Sequence, residues 1–419
     1  MSEAPPLADS RLAALIAADL DEPRVEADTH PCWDAVAAAG TEPWLDTGDV
    51  EAATRVWDGN FRALTTNNTL LNAEVQKGIY DEWVPRAAAA AREDRPDLDE
   101  KGLLLEVAFA LNARHGLRLV RRFGVKVSVE LHTDLAHDVE ASVAYGRRYA
   151  ALCPDFVVKV PNTPAGLVAA RRLHEEGIPV NFTLGFSARQ NYLAACVARP
   201  GWVNVFLGRL NAWVADEGLG DGELVGEKAT LASQLVVRAL REERGYPTRQ
   251  IAASMRAGHQ VASLAGVDVH TVPVAAAEQF LLECDRLDVR DHVCDELAPT
   301  WAEGVDPERE GLTALWEVPA EFAAVCDTLG ELPLHRLTPD EIVARLDDAG
   351  FLGVFPPLDD AGLATLAADG KAPKRERWRD DVLAGRCAWD GLFTLAGLQA
   401  FAKDQAAFDA RIHRRLFGE

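Results

Sequence analysis

The chain has 419 residues, 48% of them apolar, and a formal charge of −23 at neutral pH. That length suits one large α/β domain with additions, or two domains. The charge argues against nucleic acid or an anionic membrane as partner, and no run approaches the roughly 18 apolar residues of a membrane span.

Met1-Ser2-Glu3-Ala4-Pro5-Pro6 lacks the basic start and apolar core of a signal peptide. The seven cysteines (32, 153, 196, 284, 294, 326 and 387) are odd in number and scattered, with no CxxC pair and no zinc spacing. Reduced thiols in a cytoplasm and no metal are the expectation. His30 with Cys32 is set aside as a metal pair, because no partner spacing supports it.

The polar, Ala-rich residues 1–41 form an N-terminal extension with short helices predicted at 9–20 and 33–39. An alternation then begins. Strand 43–46 ends in Asp46-Thr47-Gly48-Asp49, a turn and helix cap, and helix 49–57 follows. Strand 61–66 ends in Asn67-Asn68-Thr69. Two helical stretches follow, at 70–94 and 98–115, the second with Leu103, Leu104, Val107, Ala108 and Leu111 at helical spacing. Strand 124–131 closes on Glu130, and helix 138–151 leads to strand 156–161. Beyond it come helix 164–176 closed by Gly177, strand 178–184, helix 187–198 and strand 202–207. The series finishes with a helical region at 223–243, strand 249–253, helix 256–265 and strand 268–272.

Strand 156–161 is unusual in holding Lys159 within the apolar run Phe156-Val157-Val158-Lys159-Val160-Pro161. A short apolar run between turn signals reads as a buried strand of a parallel sheet. A lysine there either snorkels to a surface or loses its proton, and a neutral amine is a nucleophile towards carbonyls. The chain has only eight lysines among its 43 basic residues. It uses arginine where a cation suffices, and arginine cannot form a Schiff base.

Eight strands alternating with helices, with no GxGxxG after the first, predict a (β/α)8 TIM barrel over 42–284 rather than an open sheet. Such barrels keep their chemistry at the C-terminal ends of the strands. Asp46, Asn67, Glu130, Lys159, Asn181, Thr183, Asn204 and Arg256 all fall at or near those ends. Residues 285–390 do not continue the alternation and read as a mainly helical C-terminal addition. Thr338-Pro339-Asp340-Glu341 is a capping box for helix 339–348. Residues 351–355 suggest a strand and 369–379 a loop. Residues 391–419 carry a long amphipathic helix (391–416) expected to pack on the barrel.

In this order stand Asp46-Thr47-Gly48-Asp49, Thr65-Thr66-Asn67, Val127-Ser128-Val129-Glu130 with Asp138, and Val158-Lys159-Val160-Pro161-Asn162-Thr163. Asn181-Phe182-Thr183-Leu184 with Phe186-Ser187, Phe206-Leu207-Gly208-Arg209 and Ala253-Ser254-Met255-Arg256 follow. Over about 42–275 the chain resembles the transaldolase family, and the last helix, with Phe401, Asp404 and Gln405, looks like that family's C-terminal helix. The resemblance implies class I Schiff-base transfer of a dihydroxyacetone unit between sugar phosphates, with no cofactor. Lys159 is then the nucleophile and Asp46 the acid/base at the C4 hydroxyl. Glu130 and Thr183 form a water relay. Asn67 and Asn181 hold substrate hydroxyls. Arg209 and Arg256 with Ser254 clamp the phosphate.

Each role has a plainer alternative. Asp46 could be a helix cap, which Asp49 fits equally; Glu130 a strand-end salt bridge; Thr183 a satisfied core hydroxyl; the arginines a carboxylate-paired rim. His132 and His137 read as surface loop histidines. Asn204 stands where the family commonly has serine, and Asn68 where it usually has proline. Phe206 together with Glu130 favours transfer over the free aldol cleavage of fructose-6-phosphate aldolases, which tend to carry tyrosine there and lack the glutamate. The reading is a cytoplasmic pentose phosphate pathway enzyme, monomer or homodimer, acting on sedoheptulose 7-phosphate or fructose 6-phosphate. The alternatives are a specialised transaldolase-like aldolase and a non-catalytic sugar-phosphate-binding barrel.

Overall fold

A computed structural model describes residues 10–418. Two helices, α1 (Arg11–Ala17) and α2 (Pro31–Ala38), precede the alternation. It runs β1 (Glu42–Asp46), α3 (Val50–Val56), β2 (Ala63–Thr65), α4 (Asn68–Gln76), α5 (Val84–Asp94), α6 (Glu100–Phe123), β3 (Lys126–Glu130) and α7 (Val139–Leu152). Next come β4 (Phe156–Pro161), α8 (Pro164–Glu175), β5 (Val180–Thr183), α9 (Ala188–Val197), β6 (Trp202–Phe206) and α10 (Leu207–Asp216). The last turns of the barrel are α11 (Val225–Arg244), β7 (Arg249–Ala253), α12 (Gly258–Ser263), β8 (Val269–Pro273) and α13 (Val274–Glu283). Five helices follow: α14 (Ala320–Gly330), α15 (Pro339–Asp348), α16 (Asp360–Asp369), α17 (Arg375–Leu383) and α18 (Trp389–Phe417).

The eight strands form a closed parallel barrel in sequence order, with β8 pairing back onto β1. The strands are short, apolar and buried, as parallel strands covered by helices must be. Several strand-to-helix corners end on a side-chain cap. Asp49, Asn67, Asp138, Thr163 and Ser187 each accept a first-turn N–H of the helix after β1 to β5. The register sets Glu130, Lys159 and Asn181 level on β3, β4 and β5.

The expected alternation holds, with specific differences. The stretch 70–94 is two helices, broken by turns containing Gly78 at φ +83°. The helix expected at 98–115 runs on to Phe123 and stops at Gly124, which supplies the left-handed cap. Helix α10 follows β6 with no intervening loop, so Leu207-Gly208-Arg209 opens a helix rather than ending a strand. Residues 352–354 form a 3-10 turn, not a strand; a closed barrel has no edge for a ninth strand to join. Part of the predicted loop 369–379 is helix α17, whose basic face is held by carboxylates from elsewhere, Arg375 and Arg379 both on Glu310.

Two further expectations need correction. Cys32 at the start of α2 and Cys284 after α13 form a disulfide, with Cα atoms 6.1 Å apart. Barrel closure brings these ends together across 252 residues, which cysteine spacing could not show. His132 is not a free surface histidine: its side chain is 9% exposed and its Nε2 lies 3.1 Å from Asp409 on α18.

The added helices lie against the barrel helices, α14 on α9 and α15 on α8, and share one apolar core with it, from Leu12 to Ile412. Helix α18 runs across α4, α5 and α6. Its N-terminal end is fixed by a buried ion pair. Asp390, fully buried, accepts two hydrogen bonds from Arg189, each 2.7 Å, and one from Ser187. Thr394 donates to Leu184 O at 2.9 Å, and Thr69 to Asp404. No helix among the described residues is long and apolar enough to cross a membrane.

Candidate active site

A cavity of about 250 Å³ opens at the C-terminal ends of the strands, beneath Phe401 of α18. It is lined by Asp46, Asn67, Lys159, Asn181, Asn204, Phe206, Arg209, Ser254 and Arg256, nine of the residues singled out in the sequence. Glu130 and Thr183 flank it. Both are buried, and neither lines the cavity.

Lys159 is 4% exposed, so it does not snorkel. Its Nζ donates to Thr66 O at 3.0 Å and lies 3.8 Å from Glu130 Oε2. Burial raises the pKa of Glu130, against the opposing pull of Lys159 and of the Asn68 N–H, which donates to Oε2 at 3.3 Å. A proline at position 68 would have no N–H to give, so Asn68 adds a contact to this carboxylate. Behind Glu130 is a void of about 10 Å³ lined in part by Asn112 and Tyr149, room for roughly one water. Asn112 Nδ2 donates to Glu130 O at 2.7 Å. The Thr183 hydroxyl is buried and has no hydrogen-bond partner among the described residues. It is therefore not a satisfied core hydroxyl.

Asp46 ends β1 and lines the same cavity as Lys159. It caps no helix, since Asp49 fills that role by accepting from Ala52 N at 2.8 Å. Burial raises its pKa, while Lys159 and the Thr65 hydroxyl pull it down. Thr65 donates to Asp46 Oδ1 at 2.6 Å, and the Thr271 hydroxyl sits 2.5 Å from Thr65 Oγ1. The sequence reading passed over both threonines. Thr65 stood in a quoted motif, and Thr271 was a polar residue within an apolar strand.

Asn67 has its Oδ1 committed to the α4 cap, which leaves its NH2 group for the cavity. Asn181 donates to Ser128 Oγ at 3.1 Å. Asn204 bridges β5 and β6: its Nδ2 donates to Phe182 O at 3.1 Å and Asn181 Oδ1 at 3.3 Å, and its Oδ1 accepts from Gly185 N. A serine could not span all three.

The rim of the cavity is cationic. Arg209 lies over the rings of Phe206 and Phe186, 5.4 and 5.6 Å from their centroids. Its Nη1 is buried without a hydrogen-bond partner, and burial, reinforced by Arg256, lowers its pKa to about 10. Neither arginine has a carboxylate partner among the described residues, so a paired rim is not what is built. Ser254 holds a left-handed backbone, φ +64°, unusual for a residue with a Cβ. One residue the sequence reading missed altogether, Lys371, also lines this mouth.

A closed parallel barrel with its buried lysine, paired carboxylates and cationic rim all at the C-terminal face is a (β/α)8 enzyme. A profile of the transaldolase/fructose-6-phosphate aldolase family matches residues 43–308. The chain is 28% identical over 381 residues to a transaldolase of Xanthomonas euvesicatoria pv. vesicatoria, a match covering 89% of this chain and 94% of that one. It is 37% identical over 244 residues to a probable transaldolase of Thermus thermophilus, covering 57% of this chain and 90% of the relative. The chain belongs to the transaldolase/fructose-6-phosphate aldolase family and is an enzyme of the transaldolase kind, a transferase.

Proposed function

We propose that the enzyme transfers a dihydroxyacetone unit from fructose 6-phosphate or sedoheptulose 7-phosphate to an aldose phosphate, through a Schiff base on Lys159, as a step of the pentose phosphate pathway. The observation that carries this reading is Lys159, buried 3.8 Å from Glu130 and lining one cavity with Asp46 and an arginine that has no carboxylate partner among the described residues.

The lysine amine attacks the C2 carbonyl of the ketose. Glu130 and Thr183 pass protons through water, so that the C2 oxygen leaves as water and an iminium remains. Asp46 takes the proton from the C4 hydroxyl. The C3–C4 electron pair flows into the iminium, and the shortened aldose departs. The resulting enamine adds to the aldehyde carbon of the acceptor, Asp46 returns its proton to the new hydroxyl, and water handled by Glu130 and Thr183 hydrolyses the new iminium to free the ketose phosphate and the lysine amine. The raised pKa of a half-buried carboxyl suits this exchange. Asn67 and Asn181 hold substrate hydroxyls. Arg209, Arg256 and Ser254 take the phosphate, a dianion matched to two guanidiniums.

Asn204 favours a second reading, an aldolase of the same chemistry with a different donor or acceptor, because its amide occupies the place of a free serine hydroxyl. Borohydride reduction in the presence of fructose 6-phosphate tests both. A dihydroxyacetone adduct on Lys159, lost in Lys159→Arg, is expected. An adduct with no turnover on adding erythrose 4-phosphate selects the second reading. No adduct on Lys159 defeats the first reading.

A further inference from the structure

The helical region after the barrel sends one side chain into the active-site mouth. Lys371 lies between α16 and α17 and lines the same cavity as Arg209, Arg256 and Lys159. It is outside the span matched by the family profile. Its neighbours in sequence are paired: Lys374 with Glu217, Arg375 and Arg379 with Glu310, Arg377 with Asp369. Lys371 makes no hydrogen bond or ion pair with any described residue.

Its loop is held in place. Gly370 takes φ +94° and ψ −130°, a backbone almost confined to glycine, and turns the chain towards the barrel. Trp213 Nε1 donates to Pro373 O at 2.7 Å. Glu217 accepts from Arg375 N and Lys374 Nζ, both at 3.0 Å. Trp213 belongs to α10 and Glu217 is its C-terminal cap. That helix carries Arg209 one turn before Trp213. The position of Lys371 is therefore set from the helix that positions the buried guanidinium.

Three cations, Arg209, Arg256 and Lys371, thus meet at one mouth of a chain whose net charge is −23, and none is neutralised by a carboxylate. Like charges gathered in this way repel unless an anion joins them. A phosphate monoester brings nearly two negative charges at neutral pH and several acceptor oxygens. An ammonium on a flexible stem at the exposed lip can reach it from the solvent side, in the same mouth as the half-buried Arg209.

We propose that Lys371 is a third phosphate-binding group, a specificity determinant that the C-terminal helical region adds to the sugar-phosphate pocket. This rests on the reading of the cavity as a sugar-phosphate site.

The test compares the wild type, Lys371→Met and Lys371→Arg. Readouts are kcat and KM with fructose 6-phosphate and erythrose 4-phosphate, the inhibition constant of inorganic phosphate, and borohydride trapping of dihydroxyacetone, which has no phosphate. The expected result for Lys371→Met is a rise of about tenfold in KM and in the phosphate inhibition constant, equal to roughly 1.4 kcal/mol. Its kcat and its trapping of dihydroxyacetone stay near wild type, and Lys371→Arg recovers most of the loss. An unchanged phosphate constant in Lys371→Met, or an arginine variant no better than methionine, overturns the proposal. So does a loss of dihydroxyacetone trapping that matches the loss of phosphate binding, since that marks a structural role. Failure of the wild type to form an adduct with fructose 6-phosphate is a different result, and refutes the reading of the site itself.

Discussion

Gly208 offers a way to move the proposed phosphate pocket without removing any of the groups proposed to line it. A Cβ built there falls 2.1 Å from the carbonyl oxygen of Ser254 and 2.9 Å from Cγ of Arg256. Carbon and oxygen atoms need a little over 3 Å, so Gly208→Ala must part β6–α10 from the corner after β7 by about 1 Å. Gly208 lies in the first turn of α10, where alanine is the better helix former by up to ~1 kcal/mol. Helix propensity therefore acts against any loss, and the clash alone accounts for one. Ser254 already holds a left-handed backbone and has little room to adjust. A displacement of about 1 Å at a binding group can cost up to roughly a hundredfold. The expected outcome is a ten- to hundredfold rise in KM for fructose 6-phosphate, about 1.4–2.7 kcal/mol. The phosphate inhibition constant should rise in parallel, with a smaller change in kcat. Overpacking should lower stability by about 1–3 kcal/mol in urea unfolding. If Gly208→Ala binds phosphate as the wild type does while its stability falls, Ser254 and Arg256 do not hold the phosphate.

Other changes probe other parts of the molecule. Asp390→Ala leaves Arg189 charged and buried, so calorimetry should show a loss of about 3–5 kcal/mol; a loss under about 1 kcal/mol would mean α18 is not anchored there. Glu130→Gln should slow iminium trapping in stopped-flow while leaving the phosphate inhibition constant in place; equal loss of both would remove its relay role. Burial lowers the pKa of His115 and His270 to about 4. Between pH 4 and about 6.5 the unfolded chain binds these protons and the folded chain does not, so stability falls as pH falls through that window. The difference is on the order of 3 kcal/mol per histidine. His270→Gln should show a shallower loss between pH 7 and pH 5 than the wild type in urea titrations, and parallel curves would refute the assignment.

What could be read in advance was whatever a strand states about its own surroundings. Lys159 is flanked by valines, which alone left it free to snorkel; its place on the fourth of eight strands, facing a lumen, pointed to burial. Asn181 and Thr183 share a strand and a face because side chains alternate. Alternating strands and helices pointed to the barrel and put Glu130 on the strand beside the lysine, whereas the place of Asp46 in the site came with the family resemblance. Thr271 was harder. A threonine in a strand looks like a β-former, and only closure of β8 onto β1 brings it to Thr65. The disulfide between Cys32 and Cys284 depends on the same closure.

The C-terminal region was opaque for a different physical reason. Helix α17 reads as Arg375-Glu376-Arg377-Trp378-Arg379-Asp380-Asp381, with no apolar stripe to mark a buried face. Its order comes from Glu310, Asp369 and the burial of Trp378, all tertiary. Lys371 precedes it in what looks like a solvated polar run. Its environment belongs to Trp213 and Glu217, some 150 residues earlier in the chain. The residues proposed to make and break bonds thus lie on strands, whereas the proposed recognition draws partly on a loop whose placement is set by distant partners. It follows that substitutions around residues 369–375 can alter which phosphates enter while the apparatus around Lys159 is left as it is. Kinetic parameters should divide along that line, with KM responding to the loop and kcat to the strands.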